Sequence, residues 1–118
     1  GANLHCRVPI AMTTATLGGD IEVPTIAGKR TKMKIPGGTQ TGQQFRLREQ
    51  GMPVMNSATR GDMYIEIFVE TPVNLNKKQK EIFTALDKDL SGKDGKKHSP
   101  ESSGFFDRVK DLWTDLTE

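Results

Sequence analysis

The sequence predicts a mainly β fold followed by two C-terminal α-helices, and three observations carry that prediction. Apolar residues alternate with polar ones in several short runs, above all Met33/Ile35, Phe45/Leu47 and Met63/Ile65/Ile67/Val69, and a period of two places each set on one face of a strand. Glycine and proline punctuate the runs, most densely at Pro36, Gly37, Gly38 and Gly42, where turn chemistry is expected. Beyond Pro72 the alternation gives way to helical spacing.

Residues 3–8 read as a first strand, with Leu4, Cys6 and Val8 on its inner face. Pro9 is suited to the first position of a short helix and Gly18 to its end. Thr13, Thr14 and Thr16 are poor helix formers in that interval, so local propensity alone leaves the helix open. Gly18-Gly-Asp20 turns the chain into a strand near residues 21–23, and Pro24, with no N–H to donate, marks an edge or a strand end. A turn at Ala27-Gly28 leads to a strand over residues 29–35, with Met33 and Ile35 inward and Lys32 and Lys34 outward.

The glycine-rich stretch that follows invites comparison with a phosphate cradle. Such cradles lie between a strand and a helix whose N-terminus faces the anion. Residues 45–48 alternate like a strand instead, and no Gly-Lys-Ser/Thr follows. Turn chemistry therefore accounts for the glycines. In the connection over residues 49–61, Met52, Pro53, Val54 and Met55 stand in a row. They either cap an open end of the core or present an adaptable apolar surface, since methionine repacks against varied partners.

Residues 62–71 form the longest strand. Tyr64, Glu66, Phe68 and Glu70 on its second face imply partial cover on both sides, as for a central strand. Lys32 and Lys34 are the expected partners of Glu66 and Glu70. Asn76 with Gln79 resembles a capping box opening a helix to about Leu90, with Ile82, Phe83, Leu86 and Leu90 on one face and Gly92 placed to close it. Residues 91–102 are polar and read as a flexible linker. A last helix over residues 103–116 carries Phe106, Val109, Trp113 and Leu116 at intervals of a helical turn, with Phe105 and Leu112 beside them. So short and apolar a helix must dock, on its own β-domain or on another copy.

A length of 118 residues suits one compact domain, and 34% hydrophobic residues describe a thin core. A net charge of +2 with both signs interspersed gives no electrostatic basis for a nucleic-acid or anionic-membrane partner. Carboxylates interleaved with the aromatics of residues 64–70 argue against a nucleic-acid backbone as well. No apolar run approaches the roughly 18 residues of a membrane span. The single cysteine, Cys6, excludes an intramolecular disulfide and reads as a small buried hydrophobe, a usage at home in a reducing compartment. With one cysteine and two distant histidines no zinc-ligand spacing exists. No nucleophile–histidine–carboxylate set or metalloprotease motif is present, so an enzyme is not expected.

Pro36-Gly-Gly-Thr-Gln-Thr-Gly-Gln-Gln-Phe-Arg-Leu-Arg48, followed by Gly51-Met-Pro53 and Gly61-Asp-Met-Tyr-Ile65, resembles the C-terminal region of DnaJ-type co-chaperones. The resemblance extends from Leu4-His-Cys-Arg-Val-Pro-Ile10 and Leu17-Gly-Gly-Asp20 to Ser103-Gly-Phe-Phe106. It departs at Glu49-Gln-Gly51, where the family usually has Gly-Lys-Gly after the Arg-Leu-Arg strand. The resemblance implies a small β-sandwich of the DnaJ peptide-binding type with one short internal helix. Residues 1–73 would be the second C-terminal β-domain, and residues 74–118 a helical dimerisation segment with a flexible linker at about 91–102.

On this resemblance the chain is expected to be a cytoplasmic co-chaperone fragment. It would bind unfolded or misfolded polypeptide weakly and dimerise, so that clients pass to a DnaK-type heat-shock chaperone. The family's zinc-binding repeats and the His-Pro-Asp trigger of its J-domain do not occur here, so no cofactor is expected and no ATPase stimulation. The expected dimer contact is Phe105, Phe106, Val109, Leu112, Trp113 and Leu116, because the family dimerises through its extreme C-terminus. The client surface, Met52, Val54 and Met55, is read from the residues alone. The alternative function is a β-rich nucleic-acid-binding or general protein-interaction module.

Overall fold

The structure is a computed structural model that describes residues 2–25, 28–48, 50–52, 60–93 and 95–117. It divides into two compact units, Gly1–Val73 and Asn74–Glu118. The first unit holds β1 (Leu4–Ala11), α1 (Met12–Leu17), β2 (Gly19–Pro24), β3 (Arg30–Ile35), β4 (Gln44–Leu47) and β5 (Met63–Glu70). The second holds α2 (Lys77–Leu90), α3 (Gly95–His98) and α4 (Pro100–Thr117).

The strands form two sheets, one in the order β1-β5-β4 and one of β2 with β3. β1 runs parallel to β5, while β4 and β2 pair antiparallel with β5 and β3. The alternating residues meet in one core of Ile10, Ala15, Val23, Met33, Ile35, Met63, Ile65 and Ile67. Leu4, Cys6, Val8, Ile21, Phe45, Leu47 and Val69 pack half-buried around it. Each sheet covers the apolar face of the other, which is what makes a sandwich of two small sheets stable.

Pro9 does not open a helix. It lies inside β1, and α1 begins at Met12. The parallel ladder explains the difference. Leu4 N–H donates to the Asp62 carbonyl at 2.9 Å, so backbone groups of even-numbered residues point to β5 and those of odd-numbered residues point away. Pro9 therefore lacks an N–H only on the free edge of the sheet, where proline is tolerated.

The glycine-rich segment carries the chain from one sheet to the other, so β3 and β4 do not pair. Its start closes the end of α1, with Gly38 and Thr39 N–H donating to the Ala15 carbonyl at 2.8 and 3.0 Å. Gly18 meets this turn with φ 84°, and a Cβ there would lie 3.0 Å from both Gly37 N and Ile35 O. Residues 41–43 then run beside β5. Gly42 N–H donates to the Ile67 carbonyl at 2.7 Å, and Ile67 N–H to the Gln43 carbonyl at 2.9 Å. The division into two sheets also changes the charge pairing. Arg7 and Gln44 lie opposite Glu66, and Ala11 opposite Glu70, while Lys32 and Lys34 face Glu22 and Asp20.

In the second unit α2 opens on a capping box. Gln79 N–H donates to Asn76 Oδ1 at 2.8 Å and Asn76 N–H to Gln79 Oε1 at 2.9 Å. Its other end is closed by Ser91, whose N–H donates to the Asp87 carbonyl at 2.9 Å. Gly92 follows without a left-handed backbone, so it is not the glycine cap its position suggests. The stretch expected to be linker is partly helical. α3 forms one turn, and α4 starts at Pro100 rather than Ser103. Proline is preorganised for the first helical position and has no N–H to leave unpaired there.

Candidate functional site

Three surfaces stand out. The first is a clasp around residue 2. Met52 N–H donates to the Ala2 carbonyl at 2.8 Å, Gly61 N–H to the Met52 carbonyl at 2.9 Å, and Gly51 N–H to the Gly61 carbonyl at 2.8 Å. A Cβ on Gly51 would lie 2.6 Å from the Ala2 carbonyl oxygen, and one on Gly61 would collide with the same oxygen. The backbone of Met52 is thus fixed while its side chain remains 41% exposed. Val54 and Met55, the other two residues expected in the client surface, lie outside the described residues.

The second surface is the outer face of the β1-β5-β4 sheet. His5 stacks on Tyr64 with ring centroids 5.2 Å apart, and the Arg7 guanidinium lies 4.4 Å from the centre of the Phe68 ring. Both contacts follow from the parallel register, which sets His5 opposite Tyr64 and places Arg7 on the same face as Pro9, the partner of Phe68 and the next residue of β1 on that face. A shallow cavity of about 200 Å³ opens among His5, Cys6, Arg7, Gln44, Tyr64 and Glu66. Beside it Arg46 Nε and Nη2 reach Asp62 Oδ2 at 2.6 and 2.5 Å. The hydrogen bond it donates to Asp62, and then the charge of Asp62, raise the pKa of the Arg46 guanidinium. Sequence reasoning placed Tyr64 and Phe68 on this face but missed their partners on β1, because no local signal reports a register between strands so far apart in the sequence.

The third surface belongs to the helices. No residue of α2 or α4 is buried. Of the six residues expected to form a dimer contact, Phe105, Phe106, Leu112, Trp113 and Leu116 are exposed, Trp113 by 65% and Leu116 by 72%, and Val109 is half-buried. All six lie on α4. Phe105 and Phe106 meet edge to face at 5.6 Å between centroids. α2 has a second open stripe, with Ile82, Leu86 and Leu90 exposed and Phe83 half-buried. Among the described residues, no group of three or more His, Cys, Asp or Glu side chains could hold a metal ion. Among the same residues no helix is long and apolar enough to cross a membrane.

A family model described as DnaJ C terminal domain matches residues 1–72, more than half of the chain. The chain belongs to the DnaJ C-terminal domain family. A second model, Chaperone protein DnaJ C-terminal region, matches residues 78–115 and so spans the helical unit. The chain is similar along its whole length to proteins called Chaperone protein DnaJ from Rhodospirillum centenum and Paramagnetospirillum magneticum, 60% identical to each over 118 residues. A DnaJ chaperone of Ehrlichia ruminantium is 53% identical over 116 residues, 98% of this chain. In each case the chain spans about 30% of the relative's length. In this DnaJ C-terminal region the two family models divide the chain much as its compact units do, one over the sheets and one over the helices.

Proposed function

We propose that this chain is the second C-terminal β-domain and the dimerisation segment of a cytoplasmic DnaJ-type co-chaperone. The β unit holds unfolded polypeptide weakly, and the helical unit joins two copies so that a client is engaged twice before it passes to a DnaK-type chaperone. The observation that carries this reading is the α4 stripe. A soluble chain seldom leaves three aromatics and two leucines open on one helix unless a partner covers them. Fully burying each such side chain contributes about 1.5–3 kcal/mol, enough over two copies to exceed an association cost of about 4–15 kcal/mol. Weak holding fits a surface built around Met52, whose flexible thioether adapts to varied apolar segments. Joining two weak sites raises avidity without any new contact. No catalytic step is assigned to the chain.

Sedimentation equilibrium of the chain with and without residues 100–118 tests the pairing. The intact chain is expected to approach twice its monomer mass in the micromolar range and the shortened chain to stay monomeric. Equal masses at all concentrations would refute the α4 dimer. Suppression of aggregation of a chemically unfolded client by the intact chain, lost on shortening, would tie pairing to holding. Equal suppression by both forms would separate the two.

A further inference from the structure

Within one chain the stripes of α2 and α4 stay open although both helices belong to the same compact unit. The connection between them accounts for this. Gly95 N–H donates to the Gly92 carbonyl, Ser99 N–H to that of Gly95, and Ser103 N–H to that of Ser99, at 2.9, 3.0 and 3.2 Å. Gly95–His98 are thereby wound into a turn that runs on through Ser99 into α4. The chain does not fold back to lay α4 on its own α2.

The two stripes nevertheless match in charge and in spacing. At about 100° per residue, Asp87 and Asp89 fall on opposite margins of the α2 stripe, and Arg108 and Lys110 on opposite margins of the α4 stripe. Laid antiparallel, the helices bring Asp89 to Arg108 and Asp87 to Lys110 in a single register. That register also places Leu112 and Trp113 between Phe83 and Leu86, and Val109 between Leu86 and Leu90, with Leu116 level with the turn that holds Ile82, ridges into grooves. Two α4 helices centred on the same residues would instead set Arg108 and Lys110 against their own copies.

We propose that α4 of one copy packs antiparallel on α2 of a second copy, and reciprocally, so that two α2–α4 contacts close the dimer about a two-fold axis. This rests on the dimer reading above and names its partner surface. Opposite charges at the margins fix register and suppress wrong pairings, while the apolar seam supplies the affinity.

The decisive experiment mixes two charge variants of the full chain. One carries Asp87→Lys and Asp89→Lys, the other Arg108→Asp and Lys110→Asp. Each alone faces like charges at both contacts and is expected to dimerise at least about tenfold more weakly in sedimentation equilibrium, more so at low salt. An equimolar mixture places opposite charges at both contacts, reversed at one and as in the parent at the other, and should recover the parent affinity as a heterodimer. Pairing of α4 with its own α2 predicts no recovery on mixing, and that result overturns the proposal. Variants that dimerise like the parent overturn it too, while leaving the dimer itself intact. A parent chain that is monomeric at all concentrations removes the dimer reading and the proposal together.

Asp87 also accepts a 3.3 Å hydrogen bond from Ser91 Oγ, so a test that leaves Asp87 and Ser91 unaltered is needed. Chains with Leu86→Cys mixed with chains with Leu112→Cys, both on a Cys6→Ser background, should oxidise to a species of double mass that requires both. Failure of that cross-link while the dimer persists contradicts the register.

Discussion

The β unit and the helical unit are patterned by the same rule and meet different fates. In the sheets, Ile35, Ile65 and Ile67 are at most 1% exposed, because a second apolar face lies within the same unit. In α4, Trp113 and Leu116 stand equally well in register on one face and remain in solvent. A period in the sequence identifies the face that must be covered, but it carries no information on which chain supplies the cover. That distinction separates self-sufficient folding from assembly, and it can be probed residue by residue.

The largest effect is expected inside the sandwich. Ile65→Ala removes a fully buried side chain and should cost about 2–5 kcal/mol in urea unfolding, at any protein concentration. Trp113→Ala is the counterpart in α4. It should weaken the dimer by about 2–4 kcal/mol, as for an aromatic anchor, while urea unfolding of the β unit is unchanged. If Trp113→Ala instead lowers stability independently of concentration, α4 is covered within its own chain and the contrast between the units fails. Asn76→Ala breaks the capping box and should cost about 1 kcal/mol, read as lost helical circular dichroism. The smallest change in stability is expected for Met52→Ser, within about 0.5 kcal/mol, with weaker suppression of client aggregation. A loss of stability several times larger would mark Met52 as a core cap and not a client contact.

What was legible in the sequence follows the range of the interaction concerned. The inward sets Met33/Ile35 and Met63/Ile65/Ile67 were readable because alternation is a property of neighbouring residues. The capping box of Asn76 and Gln79 was readable for the same reason. Pro9 misled because its tolerance depends on β1 being an edge strand with β5 on its other side, and β5 is remote in sequence. The charge partners of Glu66 were misassigned because pairing across the Pro36–Gly42 segment looked local, whereas the segment changes sheets. Pro100 was a start signal passed over in favour of the polar composition around it. The α4 stripe was visible from spacing alone. The proposed roles of Asp87, Asp89, Arg108 and Lys110 were not, since a charge at the margin of one helix has a partner only when a second helix is set beside it.

The parallel pairing of β1 with β5 has a mechanical consequence. Leu4 is level with Met63 and Ala11 with Glu70, so tension that enters before β1 and leaves after β5 pulls the two strands lengthwise past each other. All eight paired positions then bear the load together, where a hairpin pulled from its open end would yield one bond at a time. Residues 2 and 73 are therefore strong handles for a pulling experiment, and residues 2 and 63 weak ones. If both pairs yield at the same force, the ladder does not carry the load. A β unit loaded along this ladder can stay folded under a tension that would open a hairpin of the same length.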